Sequence, residues 1–151
     1  RLRNPDYQNL FRMNNVHDTL KIDPNSLKMR QQYYFEGRAC EAAGNLEGAI
    51  AAYEQNSNWL KAEDRHIPHQ WISELYERLS MQEASLKHLS LYAEGCTPPR
   101  AAEVFKDIGT AYERLNQFDK ALQAYESAVR KNPKMGIRKR MDELKSIIAA
   151  R

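Results

Sequence analysis

The residues of this chain that could carry chemistry are few. His66 and His69 stand three apart, a spacing that places two imidazoles on one face of a helix and could begin a metal site. No acid or cysteine completes a set around them at ligand spacing, and His66 adjoins a linker, so both are expected to be solvated. His17 and His88 stand alone. Cys40 and Cys96 are the only cysteines and lie far apart, which suits free thiols in a reducing, cytoplasmic compartment better than a disulfide. There is no glycine-rich phosphate loop, no nucleophile motif and no fixed carboxylate pair. The expectation is a protein without catalytic activity, metal or cofactor. Arg138-Lys139-Arg140, with Lys131 and Lys134, could touch nucleic acid or anionic lipid. No aromatic residues interleave with these charges, so they read as the polar face of a terminal helix and nucleic acid is a weak candidate.

The elements that must position any site are helical. Phe105, Ile108, Ala111, Tyr112 and Leu115 recur at helical spacing. After a break at Asn116-Gln117, a second face follows in Phe118, Ala121, Leu122, Tyr125, Ala128 and Val129. Asn132-Pro133 ends it, because proline cannot continue a helix and restricts the residue before it. Gly109 sits in mid-helix at a cost of roughly 1 kcal/mol against alanine. Close approach of the partner helix would offset that cost. Ala121 and Ala128, seven apart, are small for the same reason.

Phe105-x2-Ile108-Gly109-x2-Tyr112, followed by Ala121-x3-Tyr125, Ala128 and Pro133, resembles a tetratricopeptide repeat. The pattern recurs. Gly37, Ala49 and Tyr53 precede Gly109, Ala121 and Tyr125 by 72 residues each, and Cys40, Tyr76 and Tyr112 are successively 36 apart. The resemblance therefore implies three repeats of 36 residues, two longer than the usual 34. The middle copy is degenerate, with Ser73 for the glycine, Ser85 for the alanine and Tyr92 in place of Ala128. In the first copy, Glu36 and Asn56 occupy apolar slots.

The expected fold is an all-α solenoid of antiparallel helix pairs, a right-handed superhelix by resemblance. Its parts are residues 25–62, 63–97 and 98–134 as the three repeats, and 135–151 as a helix that covers the apolar end. Asn25 or Ser26 is expected to cap a helix from about Leu27 to Ala43, Gly44-Asn45 to break it, and a second helix to run from about Leu46 to Leu60. Thr97 with Pro98 marks the start of the third repeat, and the last helix is expected from about Met135 to Ala150. Residues 1–24 read either as the second helix of a truncated preceding repeat or as a helix without repeat ancestry. The chain begins at Arg1 rather than Met, which is compatible with excision from a longer chain, a signal peptide or neighbouring domain having been removed.

No stretch is apolar enough to span a membrane. Charge is uneven: residues 31–129 carry nine Lys/Arg against fifteen Asp/Glu, and residues 130–151 carry eight against two. This is not a uniform nucleic-acid footprint.

In the tetratricopeptide family the first helix of each repeat lines a concave groove where a partner lies. By that resemblance the lining is Tyr34, Arg38 and Glu41 from the first copy and Gln70, Glu74, Glu77 and Arg78 from the second. The third copy gives Lys106, Thr110, Glu113 and Arg114. Glu41, Glu77 and Glu113 recur every 36 residues as an acidic row, which suits a basic or mixed peptide, unless they pair with Arg78 and Arg114 across neighbouring repeats. Members that bind acidic chaperone C-termini use Lys and Asn, then Asn, then Lys and Arg. The matching positions here hold Tyr34, Arg38, Trp71, Glu103 and Asp107, which opposes that clamp. The leading functional expectation is an interaction scaffold that holds a peptide or helix of another protein. The alternative is a self-associating, homodimeric or positioning domain of a larger enzyme, such as a bacterial glycosyltransferase.

Overall fold

The computed structural model describes residues 24–151. The readings of residues 1–23, including His17 and the helix expected there, lie outside the described residues. Seven α-helices and one short 3-10 turn make up the described chain. They are α1 (Pro24–Ala42), α2 (Leu46–Trp59), the 3-10 turn Ala62–Asp64, α3 (Ile67–Arg78) and α4 (Gln82–Gly95). These are followed by α5 (Pro98–Arg114), α6 (Phe118–Lys131) and α7 (Arg138–Ala149). The described residues are all-α, and their helices pack as successive pairs. Two compact units divide after His88, within α4.

Three of the inter-helix turns share one geometry. Gly44, Ser80 and Asn116 each adopt positive φ, at 78°, 59° and 57°. At each turn this residue donates its N–H to a glutamate carbonyl three back: Glu41 at 3.0 Å, Glu77 at 2.9 Å and Glu113 at 2.9 Å. The next residue donates to the carbonyl five back, from Asn45 to Cys40, Met81 to Tyr76 and Gln117 to Tyr112. Each helix end is thus closed by a left-handed cap with paired backbone bonds, and the caps recur every 36 residues. Only the first copy uses glycine there. Serine in the left-handed region crowds its Cβ against the backbone. Ser80→Gly is therefore expected to stabilise the protein by about 0.5–1 kcal/mol, read as a higher midpoint in thermal unfolding followed by circular dichroism.

Helix starts differ from expectation at two places. α1 begins at Pro24, whose fixed φ and missing N–H suit a first helical position, so Asn25 and Ser26 fall inside the first turn. The Ser26 hydroxyl is instead spent on the Trp59 carbonyl at 3.1 Å. α7 begins at Arg138 rather than near Met135, because residues 133–137 form a turn in which Met135 and Ile137 donate to Asn132 and Met135 carbonyls. At α2 the cap is regular: Asn45 accepts from the Gly48 N–H at 3.0 Å.

The first unit is built around an aromatic cluster. Tyr34, Tyr53, Leu60, Ile72 and Leu75 are all at most 2% exposed. The Trp71 ring meets those of Tyr34 and Tyr53 edge-on, with centroids 5.7 and 5.2 Å apart. The long connection before α3 is tied down by Ser57, whose hydroxyl donates to the Arg65 carbonyl at 2.7 Å, and by Arg65, which donates to the Leu60 carbonyl at 3.0 Å. Asn56 is fully buried where the third copy has Ala128, and its amide donates to the Arg30 carbonyl at 2.7 Å. The nitrogen of the polar exception in that slot is thus paired, whereas its buried Oδ1 has no partner.

In the second unit, α5 and α6 close on Ala101, Ala102, Val104, Phe105, Ile108, Ala121, Ala124, Tyr125 and Ala128. α7 packs on α6 and buries Met141 and Leu144. Gly109 serves the expected close approach: a Cβ there would lie 2.6 Å from the Tyr125 ring. Gly37 meets Tyr53 in the same way in the first unit. The middle copy has leucine at 89, where the others have tyrosine, so it brings no ring to this place. Ser73 and Ser85 fill the site instead, their hydroxyls 2.9 Å apart, with Ser85 also donating to the Ser73 carbonyl at 2.8 Å.

Candidate partner-binding faces

α1 and α3 carry the candidate residues of the first unit. Tyr34 departs from expectation, because its ring is enclosed by Tyr53 and Trp71 and is 1% exposed. It belongs to the core and offers no surface to a partner. Its hydroxyl accepts from Arg38 at 2.8 Å, which orients that guanidinium. Glu41 accepts from the Tyr53 hydroxyl at 2.6 Å and lies 3.6 Å from Arg78. Gln70 and Glu74 are half-buried, whereas Glu77 and the body of Arg78 are exposed.

In the second unit, Lys106 and Arg114 of α5 are exposed and Thr110 is half-buried, its hydroxyl against the Lys106 carbonyl and the Tyr125 hydroxyl. Glu113 is held on both oxygens: Tyr125 donates to one and Arg140 of α7 to the other, while Arg140 also donates to Glu143 at 2.7 Å. Burial acts to raise the Glu113 pKa, but the bonds from Arg140 and Tyr125 outweigh it and hold the carboxyl below its ordinary range. Burial, then the Glu113 carboxylate, pushes the Tyr125 phenol up.

Glu41 and Glu113 therefore do the same work in their units. Each takes a tyrosine hydroxyl from the second helix of its pair and an arginine from farther along the chain. The Glu41–Arg78 pairing was foreseeable from the period. The arginine for Glu113 comes from the terminal helix, which also removes Arg140 from the basic run that the sequence offered to nucleic acid or lipid. Arg138 and Lys139 remain exposed. The missed signal was a glutamate twelve residues before a tyrosine, present twice at a separation of 72. Glu77 has Leu89 at that spacing, and a leucine supplies no hydroxyl.

His69 and His88 also depart from expectation. They are not solvated singly but meet across α3 and α4, Nδ1 to Nδ1 at 2.9 Å, with His88 also packed on the Tyr76 ring at 5.3 Å. Among the described residues, no group of three or more His, Cys, Asp or Glu is arranged to hold a metal ion. Neither Cys40 nor Cys96 is in a disulfide, and the Cys96 thiol donates to the Tyr92 carbonyl at 3.3 Å.

One further concavity lies in the second unit. Its cleft of about 300 Å³ is lined by Phe105, Ile108 and Tyr112 of α5, Glu94 of α4 and Lys120 of α6. The Lys120 ammonium sits 5.7 Å over the Tyr112 ring. The cleft uses a face of α5 other than that of Lys106 and Arg114.

Helices packed as pairs with recurring caps, and a glycine seated under a tyrosine ring, define a helical-repeat protein. Residues 102–135, which take in most of α5 and all of α6, match the family model of the tetratricopeptide repeat. No curated protein matches the chain. A tetratricopeptide repeat implies a protein-interaction module. Among the described residues, no helix is long and apolar enough to cross a membrane.

Proposed function

We propose that the protein is a non-catalytic scaffold of three tetratricopeptide repeats, at residues 25–62, 63–97 and 98–134, with residues 135–151 as a terminal cap. The first helices of the repeats offer their exposed polar faces to a peptide or helix of a partner protein. The match over residues 102–135 is the observation that carries this reading. Its extension to the earlier copies is supported by the recurring caps at Gly44, Ser80 and Asn116. In the first unit the binding face is Arg38, Gln70, Glu74, Glu77 and Arg78; in the second it is Lys106, Thr110 and Arg114. Glu41 and Glu113 act mainly by holding Arg78 and Arg140.

Glu77 is the exposed carboxylate of its series, and it favours a basic or mixed segment over an acidic one. An acidic chaperone tail is disfavoured further, since Tyr34 and Trp71 are core residues and Glu103 and Asp107 are exposed acids. Selection of a random peptide library on the chain should recover peptides rich in Lys or Arg. Binding of those peptides should fall at least about fivefold with Glu77→Lys, about 1 kcal/mol, with helicity unchanged by circular dichroism. Acidic selected peptides, or binding indifferent to Glu77→Lys, would overturn the assignment of this face.

A further inference from the structure

The seam between α3 and α4 is polar where the third repeat is apolar. By the 36-residue register, His69 stands where the third repeat has Phe105, and His88 where it has Ala124, both buried there. The first copy has Tyr33 and Ala52 at these places. Two imidazole rings thus replace an aromatic residue and an alanine in the middle copy alone.

Their geometry limits what they can hold. The Nδ1 atoms are 2.9 Å apart while the ring centroids are 5.1 Å apart, so the two nitrogens meet nearly head-on. One must donate and the other accept, which requires opposite tautomers when both rings are neutral. A metal ion between head-on nitrogens would need roughly 2 Å on each side, more than this spacing allows. A proton fits. If one ring becomes an imidazolium it donates to the neutral ring and the bond is kept. If both are charged there is no acceptor, and two cations face each other within hydrogen-bond distance.

The surroundings oppose the second charge. His69 lies in the first turn of α3, where the helix dipole disfavours a cation, and His66 at the start of the same helix adds a like charge when protonated. On α4, Lys87 opposes a charge on His88, whereas Glu54 of α2 favours it and the Tyr76 ring of α3 lies against it. His88 is therefore the ring that takes the single proton, and His69 the one that refuses the second. Burial, then His88 and His66, depresses His69 to about 4; burial likewise lowers His88.

We propose that the His69–His88 pair makes the α3–α4 packing a proton-gated joint, closed while the pair holds at most one proton and opened when both rings are charged. The pair titrates as one system, with two macroscopic steps. Because protonation is suppressed in the folded state, the folded form binds fewer protons than the unfolded one. The contribution is intact above the ordinary histidine pKa of about 6.5 and is lost as pH falls from there towards about 4.

The test uses the whole 151-residue chain. The variant His69→Phe with His88→Ala installs the apolar pair of the third repeat. From pH 7 to pH 4.5 the wild-type melting temperature should fall by roughly 10 °C, and that of the variant by less than a third as much. Equal falls in the two proteins would overturn the proposal. Should the variant not fold, imidazole NMR of the wild type decides the matter. The second proton should enter below about pH 5, together with at least a tenfold loss of amide protection in α3 and the first turns of α4, while α1 and α2 keep theirs. Both rings charging near 6.5 with protection unchanged would overturn it equally.

Discussion

Trp71→Ala is expected to cost about 3–5 kcal/mol. The indole is 6% exposed and lies edge-on to both Tyr34 and Tyr53, so it joins α3 to α1 and α2 at once. Truncation removes the transfer energy of a large ring, leaves a cavity under two tyrosines, and forfeits aromatic contacts worth about 0.5–1.5 kcal/mol each. A loss of that size is a large part of the total stability of a small domain, about 5–15 kcal/mol. Trp71→Phe keeps an edge-on ring and should cost much less. Denaturant titration followed by circular dichroism separates the two variants. Trp59, at 37% exposed, remains as a fluorescent reporter in both. A cost below about 1 kcal/mol for the alanine variant would be incompatible with the central place of the indole.

The second large effect lies at Gly109. Gly109→Ser puts a Cβ 2.6 Å from the Tyr125 ring, and a ring locked by its bonds to Glu113 and Thr110 cannot step aside. Removing a mid-helix glycine gains a few tenths of a kcal/mol in propensity, and overpacking costs about 1–3 kcal/mol. The net expectation is destabilisation by about 1–2 kcal/mol. The protein itself supplies the rescue. In the middle copy serine at 73 coexists with serine at 85 and leucine at 89, and the two hydroxyls satisfy each other in the buried seam. The triple variant Gly109→Ser, Ala121→Ser, Tyr125→Leu should therefore cost less than the sum of its parts, by at least about 1 kcal/mol. Measured unfolding energies that simply add would show that the glycine–tyrosine and serine–serine solutions are not alternatives.

These cases mark how much the sequence revealed. The 36-residue period, the helix pairs, the turns at Gly44 and Asn116 and the close approach at Gly109 were all legible. Each depends on interactions within a helix or across one short turn, such as the cap bonds from Asn45 to Cys40 and from Gln117 to Tyr112. Hydrophobic spacing and a breaker residue report such local bonds directly. The candidate binding face was legible only as a helix face. Residues on the first helices could be enumerated from the resemblance, but not whether each side chain reached solvent.

The tertiary structure decided that, through the rotation of each helix against its neighbours. Tyr34 looked like groove and is core, because Trp71, 37 residues on, closes over it. Glu113 looked like an open carboxylate and is locked by Arg140, 27 residues on in a different helix. His69 was expected to be solvated beside His66, and His88 to stand alone, yet the two, 19 residues apart, share a hydrogen bond. By itself, then, the sequence determined the repeat, its period and its turns, since these rest on backbone bonds spanning three to five residues. Which side chains are exposed and which are buried or bonded was settled only in three dimensions, since hydrogen bonding and burial of a side chain depend on atoms that the linear order does not bring near.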